Sequence, residues 1–227
     1  MSDTLYLSLW YPNLRMESLP DKLTAVLGAF AAYGGEPRVY AATVWPVNWS
    51  EPPVFQRVWG RAGTGAKRGI APRQAVEEAT DLFHDDYAYE FQIGWSLWEL
   101  ETDEAGPSTP AAAAAFAQDD NVVGRPDPHW VREPRLVRVT GYGSLFDEAA
   151  YEQDGHIRID FGSDAPFLEE DAELDAAGAR HVEENVRQLV ELTAGVEKAS
   201  GATARLLWSE LGESLAQRLA ARLGVQN

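Results

Sequence analysis

Cysteine is absent from these 227 residues. Disulfides, thiolate catalysis and Cys-ligated metals are therefore excluded. Long apolar runs are also missing, since none reaches the ~18 residues that a transmembrane helix needs. Met1–Leu7 carries no basic region ahead of an apolar stretch, so no signal peptide is visible. These absences lead us to expect a soluble, cytoplasmic protein with no membrane contact. Basic residues are scarce: 19 Lys and Arg stand against 36 Asp and Glu, a net charge of −17. A surface this acidic repels phosphate backbones and argues against nucleic-acid binding. It suits a basic protein partner, or solubility alone.

The motifs of common chemistries are missing too. Gly60–Gly69 is glycine-rich, but Gly65-Ala66-Lys67-Arg68 lacks both the spacing and the hydroxyl of a phosphate-binding loop. The histidines, His84, His129, His156 and His181, form no paired zinc spacing. No Asp-rich calcium loop is present, and Gly141-Tyr-Gly-Ser144 is not a nucleophile elbow. We therefore expect no cofactor, no metal and no identifiable catalytic residue.

What is there is a strong pattern. From Tyr87 the odd positions read Tyr87, Tyr89, Phe91, Ile93, Trp95, Leu97, and the even ones are mostly small or polar. Such period-2 alternation predicts a strand with one buried face. Leu5, Leu7 and Leu9 predict a first strand. Ser18-x-x-Asp21 with Pro20 resembles a capping box, followed by a helix through Phe30 that Gly34-Gly35 stops. Strands are expected at 38–45 and 54–59, and a helix at 72–84. The order β-α-β-β-α-β over residues 1–100 predicts a ferredoxin-like module with an antiparallel sheet. Residues 101–130, rich in Pro, Ala and acids, are expected to form a linker or surface insertion. Residues 131–227 predict a smaller α+β half in the order ββαβα, packed on the first. Its strands are 136–140, 156–161 and 204–208, with helices at 175–199 and 214–223. The stripe of the long helix is Val182, Val186, Leu189, Val190 and Val196. Glu17–Gly28 echoes Glu213–Gly224, which would make the second half a permuted, partial copy of the first.

Three groups of residues are candidates for function. Trp49, Trp98, His84 and Asp86 can rim a ligand pocket, with Trp98 on the polar side of the aromatic strand. His84 is expected in the last turn of the 72–84 helix, where it would suit the carbonyl end. Residues 147–175 form an acidic run whose Asp164, Glu169, Glu170, Asp171 and Glu173 are expected to face a partner. Arg57, Arg61, Lys67, Arg68 and Arg73 form a basic patch, with the protein's own acidic surface as its simplest counterpart. Three functional classes fit. The first is a non-enzymatic module that binds a basic protein, as an immunity or antitoxin protein would. The second is a small-molecule binder or enzyme using the Trp/His/Asp pocket. The third is a structural subunit that forms a homo-oligomer by covering an open sheet face.

Overall fold

The computed structural model describes residues 3–34, 38–60, 69–101, 129–148, 150–168, 174–210 and 215–223. The strands are β1 (Thr4–Trp10), β2 (Val39–Pro46), β3 (Phe55–Val58), β4 (Tyr87–Glu101), β5 (His129–Tyr142), β6 (Ile157–Ser163) and β7 (Ala204–Ser209). The helices are α1 (Leu19–Ala29), α2 (Ala31–Gly34), α3 (Pro72–Ala79), α4 (Ala150–Asp154), α5 (Ala165–Leu168), α6 (Ala176–Ser200) and α7 (Leu215–Arg222). No helix among the described residues is long and apolar enough to cross a membrane.

The aromatic strand is the middle of the core. Tyr89, Phe91, Ile93, Trp95 and Leu97 are all buried. Trp95 is their hub. It meets Phe30 edge-on at 6.0 Å and stacks on Phe167 at 5.9 Å. Its indole N–H donates to the Tyr33 carbonyl at 3.1 Å, so the largest buried side chain leaves no orphan donor.

The strands make one antiparallel sheet in the order β3-β2-β4-β5-β6-β1-β7. The fold is α+β. Residues 1–100 do not adopt the ferredoxin-like split βαβ, which would join β1 to the other strands of that segment. Instead β5 and β6 separate β1 from β4, and β1 pairs with β6 and β7. The pairing follows from apolar matching: Leu7 lies opposite Ile159 and Leu207, and Leu9 opposite Ile157. The strands that precede the echoed helices, β1 and β7, are thus neighbours in one sheet. No second sheet stands apart among the described residues. The expected linker at 101–130 falls mostly on residues 102–128, outside those described.

Helices α1, α3 and α6 bury their apolar stripes on one sheet face. In α1, Leu19, Leu23, Val26 and Leu27 point inward. Pro20 sits in its first turn, where a missing N–H is harmless. The expected capping box does not form: the Ser18 hydroxyl donates to the Arg15 carbonyl at 2.7 Å instead. The long helix α6 is capped by Asp175, whose carboxylate accepts from Ala177 and Gly178 N–H. It ends at Gly201, whose φ of +71° suits a left-handed C-cap. Val190 departs from the expected stripe and is exposed, while Leu192 is buried.

The opposite face is more polar. Arg138 pairs with Asp160 at 2.5 Å and Arg158 with Asp154 at 2.6 Å. Burial pushes the nearby Glu90 carboxyl up, against the opposing pull of Arg138. A small second core of Ala88, Tyr142 and Phe146, joined by Trp45, Ala150 and Tyr151, covers one end of this face.

Candidate functional site

Three loops meet at the end of the sheet where β2 and β5 finish and β4 begins. Val47 N–H donates to the Asp86 carbonyl at 2.7 Å, and the Val47 carbonyl accepts from Asp147 N–H at 2.7 Å. Leu145 N–H donates to the Asp85 carbonyl and Gly143 N–H to the Tyr87 carbonyl, both at 2.8 Å. The ties hold a costly backbone. Val47, Asp147 and Glu148 have φ of 58°, 44° and 48°. Positive φ at a β-branched residue is a true outlier and persists only where its surroundings over-determine it.

This frame carries exposed apolar side chains and a large share of carboxylates. Trp49 stands edge-on to Phe146 at 5.0 Å and to Trp45 at 5.8 Å. Yet Trp49 remains 39% exposed, with Val47 at 49% and Leu145 at 64%. The segments 46–53, 81–89 and 143–156 contribute Glu51, Asp81, Asp85, Asp86, Asp147, Glu148, Glu152 and Asp154, and no Lys or Arg. Most of these carboxylates are exposed.

Beside the loops lies a cavity of about 240 Å³. Tyr142, Tyr151 and His156 are its aromatic lining, Leu14 and Met16 its apolar lining, and Asn13 and Ser144 its polar lining. The His156 Nδ1 accepts from the Tyr11 N–H at 3.2 Å, so a neutral ring carries its proton on Nε2. Burial lowers the His156 pKa below its ordinary 6.5. The unfolded chain therefore binds more protons as pH falls below 6.5, and the His156 contribution to stability declines there until its folded value is passed. We expect His156→Gln to lose less stability than the wild type between neutral pH and pH about 5. Urea midpoints at both pH values check this, and equal losses would refute it.

The structure gathers some of the sequence candidates and scatters others. Trp49, His84 and Asp86 share the loop end. Trp98 lies eleven residues along β4 from Tyr87, about 35 Å away at roughly 3.3 Å per residue. The four-residue pocket therefore does not assemble. Trp98 packs under α6: its indole N–H donates to Glu184 at 3.0 Å, and its ring lies 4.1 Å from that of His181. Helix α3 stops at Ala79, so His84 is not in a last helical turn. Its backbone N–H donates to the Tyr89 hydroxyl at 2.8 Å, which donates back to the His84 carbonyl.

Asp164, expected on a partner-facing surface, is buried. It accepts from Asp3 N–H at 2.9 Å and from Arg218 at 3.3 Å. Glu169, Glu170, Asp171 and Glu173 lie outside the described residues, as do Arg61, Lys67 and Arg68 of the basic patch. Arg57 pairs with Glu78 at 2.8 Å, a self-contained contact, and Arg73 is exposed on α3. Asp85 is noticeable in the sequence beside His84 and Asp86, whereas Val47 and Leu145 are not. The one local signal for this loop end is the lack of any Lys or Arg through 81–89 and 143–156. No family model matches the chain, and neither a curated protein nor a solved structure is similar to it.

Proposed function

We propose that this protein is a non-enzymatic interaction module that captures a basic protein through its acidic loop end, as an immunity or antitoxin protein does with a basic toxin. The observation that carries this reading is the exposed Trp49, with Val47 and Leu145 also exposed, on tied loops that carry the exposed carboxylates of Asp85, Asp147 and Glu148. An anchoring aromatic within a polar rim is the usual anatomy of a binding hot spot. The rim charges would steer a cationic partner and give a salt-dependent on-rate, while Trp49 would set the off-rate. Backbone ties already hold the loops, so little ordering entropy is left to lose on binding.

The test is affinity capture from the host lysate at low and high salt, with the wild type beside two variants. We expect one basic protein to be retained stoichiometrically at low salt and less so at high salt. The double reversal Asp85→Lys with Glu148→Lys should lose it. Trp49→Ala should weaken it by about thirtyfold, as for a hot-spot residue worth roughly 2 kcal/mol. Equal capture by all three proteins would end the proposal.

A further inference from the structure

We infer that the cavity beside the acidic loops receives one arginine side chain of the partner, an inference that rests on the capture reading above. At about 240 Å³ the cavity is smaller than the roughly 300–1,000 Å³ of small-molecule pockets, and it suits a single side chain. Its lining matches a guanidinium on a methylene stem. Tyr142, Tyr151 and His156 line it with three aromatic rings, those of Tyr151 and His156 lying 5.2 Å apart, and Leu14 and Met16 add apolar surface for the stem.

The polar groups fit as well. Among the described residues the side chains of Asn13 and Ser144 have no hydrogen-bond partner, which leaves their oxygens open to a guanidinium fork. The Tyr142 hydroxyl is buried and makes no hydrogen bond of ordinary geometry, although the Asp154 carboxylate bears on it. A neutral His156 adds no competing charge. One cation is already close, because Arg158 lies 5.7 Å over the Tyr142 ring, but Asp154 matches its charge at 2.6 Å. Met16 also lines a neighbouring groove with Glu17, Asp21 and Asp85, so the approach is acidic.

The test is an amide NMR titration of the whole protein with N-acetyl-arginine methylamide, beside its uncharged citrulline counterpart. We expect saturable shifts centred on Ser144, Tyr151 and His156, with the citrulline probe at least about tenfold weaker. Tyr151→Leu removes one ring face and should weaken the arginine probe by a similar factor. Ser144→Trp plugs the cavity from an exposed position and should abolish binding even if Tyr151→Leu folds poorly. No saturable shift at these amides, equal binding of citrulline, or binding that survives Ser144→Trp would each overturn the inference. The two readings fail separately. If Ser144→Trp keeps the captured partner and the Asp85→Lys, Glu148→Lys protein loses it, the cavity assignment falls and acidic capture stands. If the cavity binds arginine and charge reversal leaves capture unchanged, acidic capture falls.

Discussion

Asn185→Leu is expected to lower stability by about 3 kcal/mol, and the melting temperature by roughly 6–12 °C for a chain of this size. The reason lies at the far end of β4. Strand β2 pairs with Tyr87–Ile93 only, which leaves the later residues of β4 without a strand on that side. The Asn185 side chain, fully buried in α6, takes the strand's place. Its oxygen accepts from Trp98 N–H at 3.0 Å, and its amide donates to the carbonyls of Trp98 and Pro166, both at 2.8 Å. A side-chain amide can do this because it carries the donor and acceptor of a peptide unit. Leucine keeps the volume and removes all three bonds, so three backbone groups lose their partners at about 1–3 kcal/mol each, less where water reaches Trp98. Asn185→Asp should be worse, since a carboxylate would face two carbonyls. Urea melts of both variants decide the matter. A leucine variant with the wild-type midpoint would show that water serves these groups equally well.

Gly143→Ala should cost about 2 kcal/mol and loosen the loop end as a unit. A Cβ at Gly143 would stand 2.2 Å from the Asp85 carbonyl oxygen and 2.8 Å from that of Tyr87. Both atoms belong to backbone, so neither can rotate away. The loops must part, and the bonds from Gly143 and Leu145 N–H are the first to stretch. Hydrogen exchange at Leu145 and Asp147 should accelerate well beyond the change at core amides such as Phe91. Because the same bonds hold Trp49 and its acidic rim in place, partner capture should weaken too. Unchanged exchange at Leu145 would mean that the junction tolerates a methyl group.

Most elements were legible because each obeys a local rule. The alternation of Tyr87–Leu97 and of Leu5–Leu9 announces half-buried strands. The apolar spacing after Ser18 and Asp175 announces helices. Strand β5 was underestimated, with 136–140 expected against His129–Tyr142. Its first half, residues 129–135, runs through Arg132, Glu133, Pro134 and Arg135, which no apolar alternation marks. β6 reaches only Arg138–Gly141 of β5, so among the described residues no strand pairs with the far side of Pro134, where a proline is tolerated. The strand order was not legible, because β1 finds its partners roughly 150 or more residues away and nothing local encodes that choice. The same limit governs the site. Trp49, His84 and Asp86 were each visible as unusual residues. Their assembly with Leu145 and Asp147 depends on hydrogen bonds between loops far apart in the chain. Trp98 misled for the opposite reason: its place on the polar side of the strand suggested an open surface, but α6 wraps over it.

The position of β1 also bears on how the protein is made. Leu5 leaves a ribosome well before the residues that lie opposite it, Gly162 and Ser209. At about 5–20 residues per second, its last partner emerges roughly 10–40 s later. Until β6 follows, Leu5, Leu7 and Leu9 have neither neighbouring strand to pair with, and an unpaired apolar strand is prone to aggregate. The nascent chain should therefore depend on a chaperone that holds the β1 segment, and completion of the sheet should follow synthesis of β7 as a late, slow event.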